Sequence, residues 1–184
     1  MANIVHIVAF NTDGVIGIKD QLPFSLPEDL KTFKSLTDGS LVVMGFNTFK
    51  SILDNHMKGK SDFLPDRKVA VVCSNNQKAK ARQEVYNAQY SNVNFYSTDT
   101  FSYLVNRNRE AIIIAGGAQL YQSYRPDIIL ATEVESTVPS TTAEEDIVKY
   151  PRFEALEKDY KRLAFNTQTS ASSGTNYRHA LYVN

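Results

Sequence analysis

Apolar runs recur along the chain at residues 4–10, 41–44, 69–73, 93–97 and 111–115, and again at 128–134, 160–165 and 177–183. The first five are nearly continuous in Ile, Val, Ala, Leu and Phe. That pattern belongs to strands covered on both faces, since a strand with one wet face alternates. Polar or helix-period segments separate them, which predicts an α/β fold: a mostly parallel central sheet of about eight strands flanked by helices. The last two runs are joined by residues 166–176, a polar Ser/Thr/Gly-rich stretch too short for a helical crossover, so they are expected to pair antiparallel at a sheet edge. No internal repeat, interdomain linker or low-complexity tract breaks the series. Residues 1–184 are expected to form a single domain.

One segment disturbs this pattern. In Ser25-Leu26-Pro27-Glu28-Asp29-Leu30-Lys31-Thr32-Phe33-Lys34, Ser25 and Glu28 have capping-box spacing and Pro27 falls in the first turn, so a helix start is expected here. At about 100° per residue, Leu26, Leu30, Phe33 and Leu36 share one arc, and Asp29 lies inside it. An acid among Leu and Phe is desolvated, which raises its pKa and makes it a candidate proton handler. The plainer alternative is an acid at the edge of the arc that merely favours the helix N-terminus.

Composition removes whole classes. Twenty basic and twenty acidic residues give net charge zero, so no global field recruits nucleic acid or an anionic membrane. The single cysteine, Cys73, sits in an apolar run, which excludes a disulfide framework and points to a packed thiol. The first residues lack the regions of a signal peptide and no run approaches membrane-spanning length, so a cytoplasmic protein is expected.

Four further features sit where an α/β sheet places chemistry. The loop at 11–24 is long for a strand-to-helix connection, and Val15, Ile16, Leu22 and Phe24 make it apolar enough to pack as a lid. Met44-Gly45-Phe46-Asn47-Thr48 ends a buried strand and opens a helix, so backbone N–H groups there can meet an anion. Ala115-Gly116-Gly117-Ala118-Gln119-Leu120-Tyr121 repeats the arrangement without a GxGxxG fingerprint. Two such turns in one sheet can cradle a pyrophosphate. Lastly, Leu64-Pro65-Asp66-Arg67-Lys68 holds an arginine beside a rigid turn, a fork suited to a carboxylate.

In their order these motifs closely resemble dihydrofolate reductase. The resemblance rests on Asp-Gly-Val-Ile-Gly at 13–17, the Leu-Pro-Phe-Ser-Leu-Pro-Glu-Asp-Leu segment from 22, and Met-Gly-Phe-Asn-Thr-Phe at 44–49. Leu-Pro-Asp-Arg-Lys at 64–68, Ala-Gly-Gly-Ala-Gln-Leu-Tyr at 115–121 and the closing Tyr-Arg-His-Ala-Leu-Tyr at 177–182 complete it. It implies hydride transfer from NADPH to dihydrofolate, giving tetrahydrofolate, in a monomer that also takes antifolates. It makes Asp29 the acid that holds the pterin and assists its protonation, Thr132 the hydroxyl that orients that acid, and Phe24 the lid aromatic beside it. Val8, Ala9, Leu30, Phe33, Thr48, Ile52 and Leu64 would wall the pterin and aminobenzoyl groups, and Arg67 would take the glutamate α-carboxylate. Ala9, Ile16 and Gly17 would meet the nicotinamide. Gly45, Asn47 and Thr48 would meet the phosphates from one turn, and Gly116, Gly117, Ala118, Gln119, Leu120 and Tyr121 from the other, with Ser74 nearby.

The chain departs from the family pattern at named places. Phe46 stands where the common bacterial form has an arginine near the cofactor phosphates, Gln119 replaces another frequent cation, and Lys78, Lys80 and Arg82 could supply the charge. Phe24 replaces a tryptophan and loses its N–H donor. Asp66 replaces a glycine ahead of Arg67, and residues 55–62 form a longer polar insertion before it. Two other readings remain open at this point: a related pyrimidine reductase, or an inactive nucleotide-binding or structural protein on the same fold.

Overall fold

The structure is a computed structural model that describes residues 3–19, 21–57, 62–86, 89–170 and 172–184. Residues 58–61, within the polar insertion noted above, lie outside that set. Along the chain run β1 (Ile4–Asn11), β2 (Val15–Ile18), α1 (Pro27–Thr37), β3 (Leu41–Gly45), α2 (Phe46–His56), β4 (Lys68–Cys73), α3 (Asn76–Tyr86) and β5 (Val93–Ser97). They are followed by α4 (Thr98–Arg107), β6 (Ile112–Ile114), α5 (Ala118–Ser123), β7 (Ile128–Val134), β8 (Ile147–Lys149), α6 (Leu156–Asp159), β9 (Lys161–Thr169) and β10 (Asn176–Val183).

Eight strands form one sheet in the order β5-β4-β3-β6-β1-β7-β10-β9. The first six are mutually parallel, while β10 pairs antiparallel with both β7 and β9. The expected architecture is therefore the observed one. Two apolar layers explain the continuous hydrophobic runs of the central strands. One gathers Phe10, Ile114, Tyr121 and Tyr150; the other gathers Phe49, Phe63, Val71 and Phe95. Cys73 is buried in the second layer as a free thiol.

The 11–24 loop departs from the expectation of an irregular connection. Residues 15–18 are a strand, and β2 pairs antiparallel with β8 in a second, two-stranded sheet. Asn11 starts this turn: its Oδ1 accepts from the Asp13 and Val15 amides at 3.0 and 2.8 Å. Gly14 follows with φ +74, and a Cβ there would come within 2.4 Å of the Phe153 ring, so only glycine fits.

The start of α1 needs a second correction. Leu26, not Ser25, occupies the cap position and no side chain caps the helix, so the capping box does not form. Glu28 instead accepts a hydrogen bond from Ser170 Oγ at 3.1 Å, drawn away by a loop far along the chain. Pro27 does take the first turn, where its missing N–H costs nothing. The apolar arc is also divided: Leu26 is buried, whereas Leu30 and Leu36 are 44% and 46% exposed. That exposure is towards a cleft.

Candidate active site

The register of three adjacent strands builds one wall of this cleft. Ala9 of β1 is opposite Thr132 of β7, and Thr132 is opposite His179 of β10, so the three side chains stand in a row on one face. Across from the row, α1 presents Asp29. Thr132 Oγ1 donates to Asp29 Oδ1 at 2.5 Å, and His179 Nε2 lies 3.8 Å from the same oxygen. Burial pushes the Asp29 carboxyl above its usual range, while the Thr132 hydrogen bond and the nearby His179 partly oppose that rise. Asp29 is therefore a desolvated acid, oriented by a neutral donor. The plainer alternative, an acid that merely favours the helix N-terminus, does not account for the hydrogen bond from Thr132.

The cleft, of about 2260 Å³, is much larger than the roughly 300–1,000 Å³ of a pocket for one small ligand. It has room for two. Every site residue expected from the sequence lines it. Val8, Leu30, Phe33, Ile52 and Leu64 give it apolar walls near Asp29. Phe24, from the loop before α1, packs beside Leu26, Val134 and Tyr177 and also reaches the cleft.

Arg67 closes that end. It is only 5% exposed, with Nε donating to Thr37 Oγ1 at 2.7 Å, Nη1 to the Pro65 carbonyl at 2.5 Å and Nη2 to the Lys34 carbonyl at 2.8 Å. A guanidinium has five N–H donors, so each Nη keeps one. The fork is fixed before any ligand arrives. Leu64 and Asp66 precede it with φ +47 and +66, the left-handed conformation that glycine would adopt more freely.

The opposite end holds the two glycine turns, side by side. The Gly45 amide donates to the Gly116 carbonyl at 2.9 Å, and the Gly116–Gly117 peptide is cis. A Cβ on Gly116, whose φ is +133, would lie 3.0 Å from Thr48 Oγ1. Asn47 and Thr48, in the first turn of α2, and Ala118, Gln119, Leu120 and Tyr121 of α5 continue the lining. Ile16 and Gly17 of β2 also line the cleft.

Beyond the turns, the guanidinium carbon of Arg82 sits 3.3 Å above the centre of the Phe46 ring. Arg82, Lys78 and Ser74 line the cleft, whereas Lys80 is exposed and outside it. Helix α3 thus brings a cation to the place where the α2 turn carries an aromatic ring.

A family model described as dihydrofolate reductase matches residues 3–178. The chain belongs to the dihydrofolate reductase family. It is 31% identical over 116 residues to a bifunctional dihydrofolate reductase-thymidylate synthase of Paramecium tetraurelia, covering 63% of this chain and 21% of that protein. Against dihydrofolate reductase type 9 of Escherichia coli it is 34% identical, covering 67% of this chain and 64% of the relative. The match to dihydrofolate reductase of Neisseria meningitidis serogroup A is 27% identical, over 100% of this chain and 99% of the relative. The chain thus spans about a fifth of the first relative and just under two thirds of the second. Among solved structures, dihydrofolate reductase from Enterococcus faecalis, complexed with NADP(H) and RAB-propyl, superposes with TM-score 0.71 at 20% identity, over 98% of this chain and 95% of that one. That likeness establishes a shared fold. Among the described residues no helix is long and apolar enough to cross a membrane.

One residue facing the acid of this dihydrofolate reductase fold escaped sequence reasoning. His179 was visible only as part of a closing strand; its position opposite Thr132 follows from strand register, which residue order does not display.

Proposed function

We propose that this chain reduces dihydrofolate to tetrahydrofolate with NADPH as hydride donor. The observation that carries the reading is the 2.5 Å hydrogen bond from Thr132 to Asp29, set in a cleft that runs on to two glycine turns. The cofactor end fits its ligand: the backbone at Gly116 is bare where a Cβ would press on Thr48, leaving amides open to phosphate oxygens. There Gly45, Asn47 and Thr48 would hold the phosphates with Gly116, Gly117, Ala118, Gln119, Leu120 and Tyr121. Ala9, Ile16 and Gly17 would hold the nicotinamide, and Ser74, Lys78 and Arg82 the far end. NADPH, when bound there, supplies the hydride.

The chain's own groups do the rest. The Asp29 carboxylate accepts two N–H donors from the guanidine-like edge of the pterin, with Thr132 fixing its plane. Once paired, the desolvated anion favours a proton on the ring imine nitrogen, where reduction requires one. Leu30, Phe33, Ile52 and Leu64 exclude water and hold the flat rings in register with the donor. Arg67 meets the glutamate α-carboxylate through its remaining Nη donors, its immobilisation already complete. The same reading makes the protein a cytoplasmic monomer that binds dihydrofolate and antifolates and no nucleic acid, in keeping with its zero net charge.

The test is the loss of NADPH absorbance on adding dihydrofolate, with NADH as the comparison donor and methotrexate as competitor. Turnover that methotrexate blocks is expected. Folded protein that binds NADPH yet turns over no dihydrofolate overturns the reading.

A further inference from the structure

We propose that His179 is a positioning residue for the reduction, forming with Asp29 a two-group acid that keeps the carboxylate charged when the surroundings become acidic. The inference rests on the reductase reading above. Its geometry is independent of any ligand. Strand register sets His179 beside Thr132, and both face the same Asp29 oxygen, Oδ1.

The contact sets an imidazole nitrogen against a carboxylate oxygen. His179 Nε2 is buried without a hydrogen-bond partner, and the nearest charged atom is Asp29 Oδ1 at 3.8 Å. A buried polar atom without a partner is costly unless a partner can be reached. Here a proton on Nε2 turns the separation into an ion pair, and its departure leaves a neutral ring beside the acid. The imidazole is held in place by Tyr177, whose ring meets it edge-on at 5.5 Å between centres.

Three neighbouring groups have partners of their own. Glu28 of α1 accepts from Ser170, and the Tyr177 hydroxyl of β10 donates to Gln168 of β9. Glu133 of β7 is paired with Arg178 and Tyr182. The adjacent Thr132 cannot titrate in this range. Tyr177 also feels Asp29, but burial together with Glu28 and Asp29 raises its pKa above the ordinary value, so it is neutral in the acid range and the charge on this wall that bears on Asp29 is that on His179.

The sign follows. While His179 is protonated it favours the Asp29 carboxylate, so removing it moves Asp29 ionisation to higher pH. An opposite charge at this range is worth about one pH unit or more.

The experiment is a pH titration of the ligand-free protein followed by ¹³Cγ-aspartate and ¹⁵N-imidazole NMR. In the wild type the Asp29 resonance should move twice, once with its own ionisation and once in step with His179 Nε2. In His179→Phe the second step should vanish and the first should shift upward by about one unit. His179→Gln, which keeps a donor and cannot titrate, should also show a single step. An Asp29 curve with one step in the wild type, or one unchanged in both variants, overturns the proposal. The wild-type spectrum alone decides the coupling even if a variant fails to fold. On the same basis, the KM for dihydrofolate in His179→Phe should begin its acid-side rise about one unit higher. The ligand-free titration involves neither substrate nor cofactor, so it can fail while turnover succeeds, and the reverse.

Discussion

His6 of β1 and His179 of β10 are two histidines in one sheet, treated in opposite ways. His6 is fully buried, and both its nitrogens are satisfied: Nδ1 meets the Tyr150 hydroxyl at 2.7 Å and Nε2 the Tyr124 carbonyl at 2.9 Å. A carbonyl only accepts, so Nε2 carries the proton and Nδ1 accepts from tyrosine. Burial then drives the His6 pKa down to about 3, and the ring stays neutral. His179 keeps an unpartnered nitrogen beside an acid in a cleft. A polar group whose needs are met is structural; one left unmet at a cleft is free to act on something else.

The widest gap between the two regions should come from the acid itself. Asp29→Asn is expected to cut turnover by roughly 10²–10⁴-fold, most severely at high pH where solvent protons are scarce. The same change should raise the melting temperature. Asp29 is held above its ordinary pKa by burial, so its contribution to stability is present at low pH and lost as pH rises through the folded value. An amide avoids that loss. Rates like the wild type, or a lower melting temperature, would remove Asp29 from its place here.

His6 should show the reverse: a large effect on the fold. His6→Phe keeps a ring but strands the Tyr150 hydroxyl and the Tyr124 carbonyl, for a loss of about 2–5 kcal/mol by urea unfolding. In the wild type the unfolded chain takes up a proton below about pH 6.5, while folded His6 resists down to about 3. Stability therefore falls as the pH drops across that window. The variant should lack this share of the acid sensitivity, and an equal slope in both proteins would show that another group causes it.

A smaller effect is expected at the hydroxyl between the regions. Thr132→Val removes the hydrogen bond to Asp29 and should lower kcat/KM about tenfold, with Asp29 ionising at still higher pH. Thr132→Ser should restore both. The smallest effect belongs to Asp66, held at φ +66 beside Arg67. Asp66→Gly should stabilise the fold by up to about 1 kcal/mol, read as a slightly higher melting temperature. A fall would show that contacts of the aspartate side chain offset its backbone conformation.

The ease of reading these regions from sequence differed for physical reasons. Each of the eight apolar runs became a strand of the main sheet, and the central ones were the easiest to read because burial on both faces writes a continuous hydrophobic segment. Strands β2 and β8 were illegible: four and three residues long, they depend on each other across most of the chain. Asp29 was legible because it breaks an apolar arc on its own helix. Ser25 misled, since capping needs backbone geometry and the Glu28 partner was taken by Ser170. His179 could not be foreseen, because its neighbours are fixed by a register spanning three strands.

Arg82 resting on Phe46 carries a different lesson, about what is inherited. A comparison made column by column subtracts a positive charge at the α2 turn and scores the chain as deficient there. Space restores the charge from a neighbouring helix. The cation rises from α3 and the ring from α2, so the charge at this turn depends on both helices keeping one contact.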